Sequence, residues 1–179
     1  MIIKAKDGRK VVLRKPKMSD VKGLLNFINS LVREDAPILC NRRMTFKEER
    51  KWLKGVIEDI NKKRKIYLVA EIDGKIIGAV EIRKGRFREK HTGELGVSVI
   101  REYRNLGIGK EMIRAIIKLA KKDRDLKLLY LTVYANNKVA QHVYEKIGFK
   151  RVAVLKNRIF YKGKYINQIV MELPLKKMG

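Results

Sequence analysis

A chain of 179 residues that is 45% hydrophobic is long enough for one sizeable core, and its length predicts a single domain over residues 1–179. No apolar run approaches the roughly 20 residues that span a bilayer, and the opening MIIKAKDGRKVV lacks the apolar block of a secretory signal, so a cytoplasmic protein without membrane association is expected. The lone Cys40 excludes a disulfide framework or a Cys-rich metal site, while 44 Lys and Arg against 19 Asp and Glu give a formal charge of +25, a field that draws polyanions, nucleic acid and multiply phosphorylated nucleotides alike.

The first predicted element is β. IIKAKDGRKVVLRKP reads as two short strands around Asp7-Gly8, a dipeptide suited to the positive φ angles of a tight hairpin. From Ser19, read as an N-cap, Val21, Leu24, Leu25, Ile28, Leu31 and Val32 recur at three- and four-residue spacing and predict a helix that fades at REDAP. A second helix starts at TFKE, where Thr45 and Glu48 stand at capping-box spacing, and runs through Trp52, Leu53, Val56, Ile57 and Ile60. The segment between the helices, REDAPILCNRRMT, is irregular and suits a ligand contact and a plain connector equally.

KIYLVAEI and KIIGAVEIR, joined by Asp73-Gly74, form the strongest hairpin signal in the chain. A polar tip, KGRFREKHTG, leads to another strand, ELGVSVI, and then to REYRNLGIGKEMI, a glycine turn that feeds a helix carrying Met112, Ile113, Ile116, Ile117 and Ala120 on one side. LKLLYLTVY is short and dense in apolar residues and reads as a buried strand. KVAQHVYEKIGF is a short helix with Val139, Ala140, Val143, Tyr144 and Ile147 on one face, stopped by Gly148. Two strands, FKRVAVL and YINQIVMEL, close the chain. One mixed sheet covered by helices is the simplest packing of this order.

The glycine turn has a chemical reading. A helix start carries unpaired amide groups and the positive end of the macrodipole, so an anion placed there gains several hydrogen bonds at once. In RNLGIGK, Gly107 and Gly109 leave the backbone bare and Arg104 and Lys110 add charge, a combination suited to a pyrophosphate. Two other phosphate loops fail here: a dinucleotide fingerprint needs glycine where Met112 stands, and a P-loop needs glycine at Arg104 and Ser or Thr at Glu111. The spacing Arg-x-x-Gly-x-Gly arises by chance in a chain of this length on the order of once in ten, so a second motif is needed.

That motif is NKVAQHVYEKIGF. Asn137, Ala140, Tyr144, Gly148 and Phe149 follow a buried strand at fixed offsets, and together with the glycine turn they resemble the paired signatures of the GNAT superfamily of acetyl-CoA-dependent N-acetyltransferases. The resemblance covers nearly the whole chain, with the extra early strand as its main departure. It implies an α/β (α+β) fold with a mixed, mostly antiparallel central sheet, helices on both faces, and a V-shaped splay between the fourth and fifth core strands where the cofactor lies. It further implies acetyl-CoA as co-substrate, with no metal. The backbone of Val97, Ser98 and Val99 is expected to meet the pantetheine arm and acetyl carbonyl, Arg104, Asn105, Leu106, Gly107, Ile108, Gly109 and Lys110 the pyrophosphate, and Asn137 the pantetheine arm.

Acetyl transfer to an amine requires a neutral amine, donors for the developing oxyanion and a proton for the departing thiolate. The resemblance gives the last role to Tyr144, whose phenol stays protonated at neutral pH. Glu94, on the strand expected to line the site, is the candidate base, with Glu81 second; both also suit a solvated strand face. His91 and His142 are read as surface residues. The acceptor is a protein N-terminus, a lysine or a small amine, and pairing of the last strands offers a route to a homodimer. From another class, the charge suits an RNA- or ribosome-associated binding protein with a vestigial cofactor site, or weak nucleic-acid association beside catalysis. The Lys, Arg, Glu and Ile bias is also that of heat-adapted proteins.

Overall fold

A computed structural model describes residues 1–175; the end of the expected domain, 176–179, lies outside the described residues. Eight strands and four α-helices occur among them: β1 (Ile2–Lys4), β2 (Lys10–Arg14), α1 (Val21–Arg33), α2 (Phe46–Asn61), β3 (Lys65–Ile72), β4 (Lys75–Lys84), β5 (Thr92–Val99), α3 (Ile108–Ala120), β6 (Leu128–Tyr134), α4 (Lys138–Ile147), β7 (Lys150–Tyr161) and β8 (Lys164–Pro174). Their order is the one the hydrophobic periodicity predicts. The chain forms two compact units, one of Met1–Arg83 with Gly96–Leu119, the other of Lys84–Leu95 with the described residues from Ala120 onward.

In the first unit the hydrogen-bonded strand order is β1-β2-β3-β4-β5, and the pairs from β1 to β4 are antiparallel. The β3–β4 hairpin turns at Asp73 and Gly74 with φ of 48° and 76°, the two left-handed residues that this dipeptide supplies. Thr45 caps α2 in the predicted capping box with Glu48. Successive strand residues point to opposite faces. On β4, a Cβ at Gly78 would lie 3.2 Å from the Met112 side chain of α3, while neighbouring Ala79 faces a cavity lined by α1 and α2. Helices therefore cover both faces of this unit.

Two local expectations are corrected here. Asp7-Gly8 is not a two-residue turn: the β1–β2 register closes at Lys4↔Lys10, and Asp7 instead accepts hydrogen bonds from the Arg9 amide and guanidinium, which widens the loop. Ser19 is not the N-cap of α1. It sits in a 3-10 turn, Met18–Asp20, and the helix follows Asp20.

Asp20 anchors that start. Its carboxylate is 7% exposed and accepts two bonds from Arg14, at 2.7 and 2.9 Å, and one from the Lys17 amide at 2.8 Å. Burial alone would raise its pKa, but the bonds from Arg14 and Lys17 outweigh burial and hold it below the ordinary carboxylate range. Asp20→Ala leaves Arg14 with Glu71 as its remaining partner and the Lys17 amide without its acceptor, and urea unfolding should show a loss of about 2 kcal/mol. A carboxyl depressed in the folded state contributes its full stability above its unfolded pKa, near 3.9, and loses it as pH falls further. The difference between Asp20→Ala and the parent should therefore shrink below about pH 4.

In the second unit the order is β5-β6-β8-β7. β5 runs parallel to β6 in a register from Thr92↔Leu128 to Glu94↔Tyr130, and β8 pairs antiparallel with β6 and β7. Gln141 ties α4 to the end of β6 by donating to the carbonyls of Tyr134 and Ala135, each at 3.0 Å, and Gly148, at φ 111°, ends the helix as predicted. β7 and β8 are longer than expected. They form one hairpin through Lys162 and Gly163, at φ 51° and 72°, and a register shift between Leu155 and Ile159 breaks the alternation that would have marked NRIFY as strand.

Candidate active site

The cavity of the first unit encloses about 370 Å³, at the small end of the range for sites that hold small ligands. Its walls come from Leu24, Phe27, Ile28 and Leu31 of α1, Ile38, Cys40 and Met44 of the connecting loop, Glu49 and Trp52 of α2, Tyr67 of β3, Ala79 to Glu81 of β4 and Gly96 to Ser98 of β5. The α1–α2 segment is thus more than a connector: three of its side chains line the cavity. So do Val97 and Ser98, two of the strand residues expected at the reacting centre.

The cavity holds two carboxyls. Glu81 donates nothing and accepts from Lys65 Nζ at 2.8 Å, with Arg83 at 3.7 Å. Glu49 is different. It is 4% exposed, no hydrogen bond or ion pair from a described residue reaches its carboxyl, and burial pushes it up to about 7. Its neighbour Glu48, bonded by Arg42 and by the Thr45 amide and hydroxyl, is held down at about 2. Two successive glutamates on one helix are thus driven apart by environment alone. The Tyr67 phenol is raised by burial and then by the charges of Glu81 and Glu49, and its ring meets Trp52 edge-on at 5.7 Å.

Past β5 the chain makes a short 3-10 turn, Arg101–Tyr103, and then the glycine turn. Asn105 and Gly107 take left-handed φ of 63° and 76°, and α3 begins at Ile108, leaving its first amides without intrahelical acceptors. The bare Gly109 and the left-handed pair fit a pyrophosphate bound by backbone groups. The Arg104 side chain is already engaged: Nε donates to the Val99 carbonyl at 2.8 Å and the guanidinium pairs with Glu34 at the end of α1, which Arg101 also approaches at 3.5 Å. Lys6, in the β1–β2 loop, donates its amide to the Leu106 carbonyl at 2.9 Å, and its aliphatic stem lies beside Gly107. The extra early strand thus carries a loop that buttresses the turn.

Glu94 lies in the second unit, in register with Tyr130, and is not among the cavity-lining residues. Asn137 caps α4, its carboxamide oxygen accepting from the Ala140 amide at 3.2 Å. Tyr144 is 8% exposed, packs edge-on against Phe149 at 5.9 Å, and burial pushes its phenol up to about 12. His142 is exposed, and His91 uses its carbonyl to accept from the Lys127 and Leu128 amides. Among the described residues no three His, Cys, Asp or Glu side chains gather as metal ligands, and no helix is long and apolar enough to cross a membrane.

Sequence reasoning passed over Glu49 because its position in the first turn of α2 looks like ordinary helix-start acidity. The one available signal was its place on the same helical face as Trp52, Leu53 and Val56, which makes it a charge in an apolar stripe.

The model of the acetyltransferase (GNAT) family matches residues 26–149. An N-alpha-acetyltransferase of Sulfurisphaera tokodaii is 26% identical over 162 residues, covering 86% of this chain and 88% of that protein. The L-amino acid N-acetyltransferase AaaT of Escherichia coli is 30% identical over 105 residues, covering 58% of this chain and 65% of that protein. The crystal structure of an acetyltransferase of the GNAT family from Streptococcus pneumoniae superimposes with a TM-score of 0.82 at 27% identity, over 92% of this chain and 98% of that one.

Proposed function

Because the chain belongs to the GNAT acetyltransferase family, we propose that it transfers the acetyl group of acetyl-CoA to the α-amine of a peptide or protein N-terminus. The coarser activity follows from the family: the protein is an acyltransferase that acetylates an amine with acetyl-CoA as donor. The finer reading rests on one observation. In a chain of charge +25, the described residues lining the cavity include two carboxyls and no Lys or Arg.

That lining separates the amine classes. A free amino acid brings a carboxylate that would meet Glu49 and Glu81 with no Lys or Arg among the described lining residues to pair it, whereas a peptide replaces that carboxylate with a neutral amide. A polyamine brings a second ammonium into a site where Glu81 is already paired by Lys65 and Arg83, and it must first cross a positive field. One relative is named an N-alpha-acetyltransferase and the other an L-amino acid N-acetyltransferase, and the first of these matches over the greater length. The largely apolar walls further favour a first residue with an uncharged side chain.

Cofactor binding is assigned to the backbone of Val97, Ser98 and Val99, the turn from Arg104 to Lys110, and Asn137. Tyr144 is assigned as donor of the proton to sulfur, on the strength of its motif and of a phenol that stays protonated well above neutral pH. The test is a panel read by released CoA: peptides with free apolar N-termini, the same peptides blocked at the N-terminus with one internal lysine, free amino acids, and spermidine. Free N-termini should give kcat/KM at least tenfold above every other class. Free amino acids or spermidine used equally well would overturn the N-terminal reading.

A further inference from the structure

We propose that Glu49 is the catalytic residue that receives the acceptor's ammonium and takes its proton, an assignment that rests on the N-terminal reading above. A charged side chain removed from water is stable only when paired or neutralised, and this one has no hydrogen-bond or ion-pair partner among the described residues, is 4% exposed and opens into the cavity. The missing partner is a cation of the ligand. An α-ammonium entering between the α1–α2 walls and Gly96 to Ser98 of β5 supplies it.

The other titratable side chains among the described residues lining the cavity are Cys40, Tyr67 and Glu81. α1 presents only apolar side chains to the cavity. From the connecting loop, Cys40 donates its thiol to the Arg42 carbonyl at 3.3 Å. From β3, the Tyr67 phenol is held protonated by burial and by both carboxyls. From β4, Glu81 is paired with Lys65 and Arg83.

An α-ammonium titrates near 8 and an alkylammonium near 10.4, so a carboxylate that titrates at about 7 takes a proton from the first against a bias of only about tenfold and from the second against one of more than about a thousandfold. Glu49 accepts that proton and frees the nitrogen lone pair. The C–N bond to the acetyl carbon then forms as the C–S bond breaks. Of the two protons the nitrogen gives up, Glu49 passes the first to solvent and the departing sulfur ends with the second.

The experiment compares the parent, Glu49→Gln and Glu81→Gln on a peptide with a free apolar N-terminus, from pH 5.5 to 9.5. It is joined to acetyl-CoA calorimetry and to thermal unfolding without donor. Roughly a tenth of an α-amine is already neutral at pH 7, so Glu49→Gln should lower kcat there by about 20-fold rather than by the full range of general-base effects. Its rate should climb toward the pKa of the amine, and its acetyl-CoA Kd should stay within threefold of the parent. Without donor, Glu49→Gln should melt on the order of 5 °C above the parent at pH 8 and level with it near pH 4. A carboxyl raised in the folded state costs stability as pH climbs from its unfolded value toward the folded one.

A kcat within threefold of the parent, equal melting at pH 8, or a fall in kcat with a rate that climbs toward the pKa of the amine in Glu81→Gln instead of Glu49→Gln would each overturn the assignment. If the parent binds acetyl-CoA yet ignores N-termini, the N-terminal reading and the assignment fall together. If the parent acetylates N-termini and Glu49→Gln matches it, the assignment alone falls.

Discussion

Gly109→Asp should raise the Kd for acetyl-CoA at least 100-fold while leaving the melting temperature unchanged or slightly higher. The fold admits the side chain: a Cβ at this position meets only Val99 Cγ2, at 3.8 Å, which is ordinary contact. An acidic residue in the first turn of α3 also suits the helix macrodipole, a gain of about 0.3–1 kcal/mol. What the substitution removes is the vacant space in front of the helix-start amides. Its carboxylate takes the hydrogen bonds meant for the pyrophosphate and repels it, and losing about 2.7 kcal/mol of binding is a 100-fold change. Gly107 would be a poorer probe, because its φ of 76° strains any other residue and mixes stability with binding. Calorimetry and a melting curve on one sample decide the matter, and a Kd within threefold of the parent would remove the glycine turn from the cofactor site.

Tyr144→Phe should lower kcat about 100-fold with the acetyl-CoA Kd unchanged, the pattern of a group that acts only as the bond to sulfur breaks. The control is built into the packing. Phenylalanine keeps the ring that sits 8% exposed against Phe149, so the variant reports the hydroxyl alone. Because burial pushes that phenol up to about 12, Tyr144 remains protonated throughout an assay from pH 6 to 10, and the parent's rate should show no alkaline limb from this group. An unchanged kcat would withdraw Tyr144 from the acid role and leave the proton to solvent.

The sequence by itself determined the element order, the family and the donor. Those depend on local spacing: Thr45 with Glu48 at a helix start, Asp73-Gly74 in a hairpin, two glycines before α3, and Asn137 to Phe149 after a buried strand. Each is set by backbone geometry within a few residues, so it survives without knowledge of what packs against it. Only the tertiary structure decided which charges are available for chemistry. Arg104 looked like a free cation beside a phosphate until Glu34, seventy residues earlier, proved to hold it. Lys6 belonged to an unexplained early strand until its amide was found on the carbonyl of Leu106. Glu94 and Glu81 were legible as carboxyls near the expected strand, whereas Glu49 was hidden among the acids of α2. The reason is physical. The availability of a carboxylate depends on its desolvation and its partners, both set by residues distant in the chain, and α1, β3 and β5 must close around α2 before Glu49 differs from Glu48.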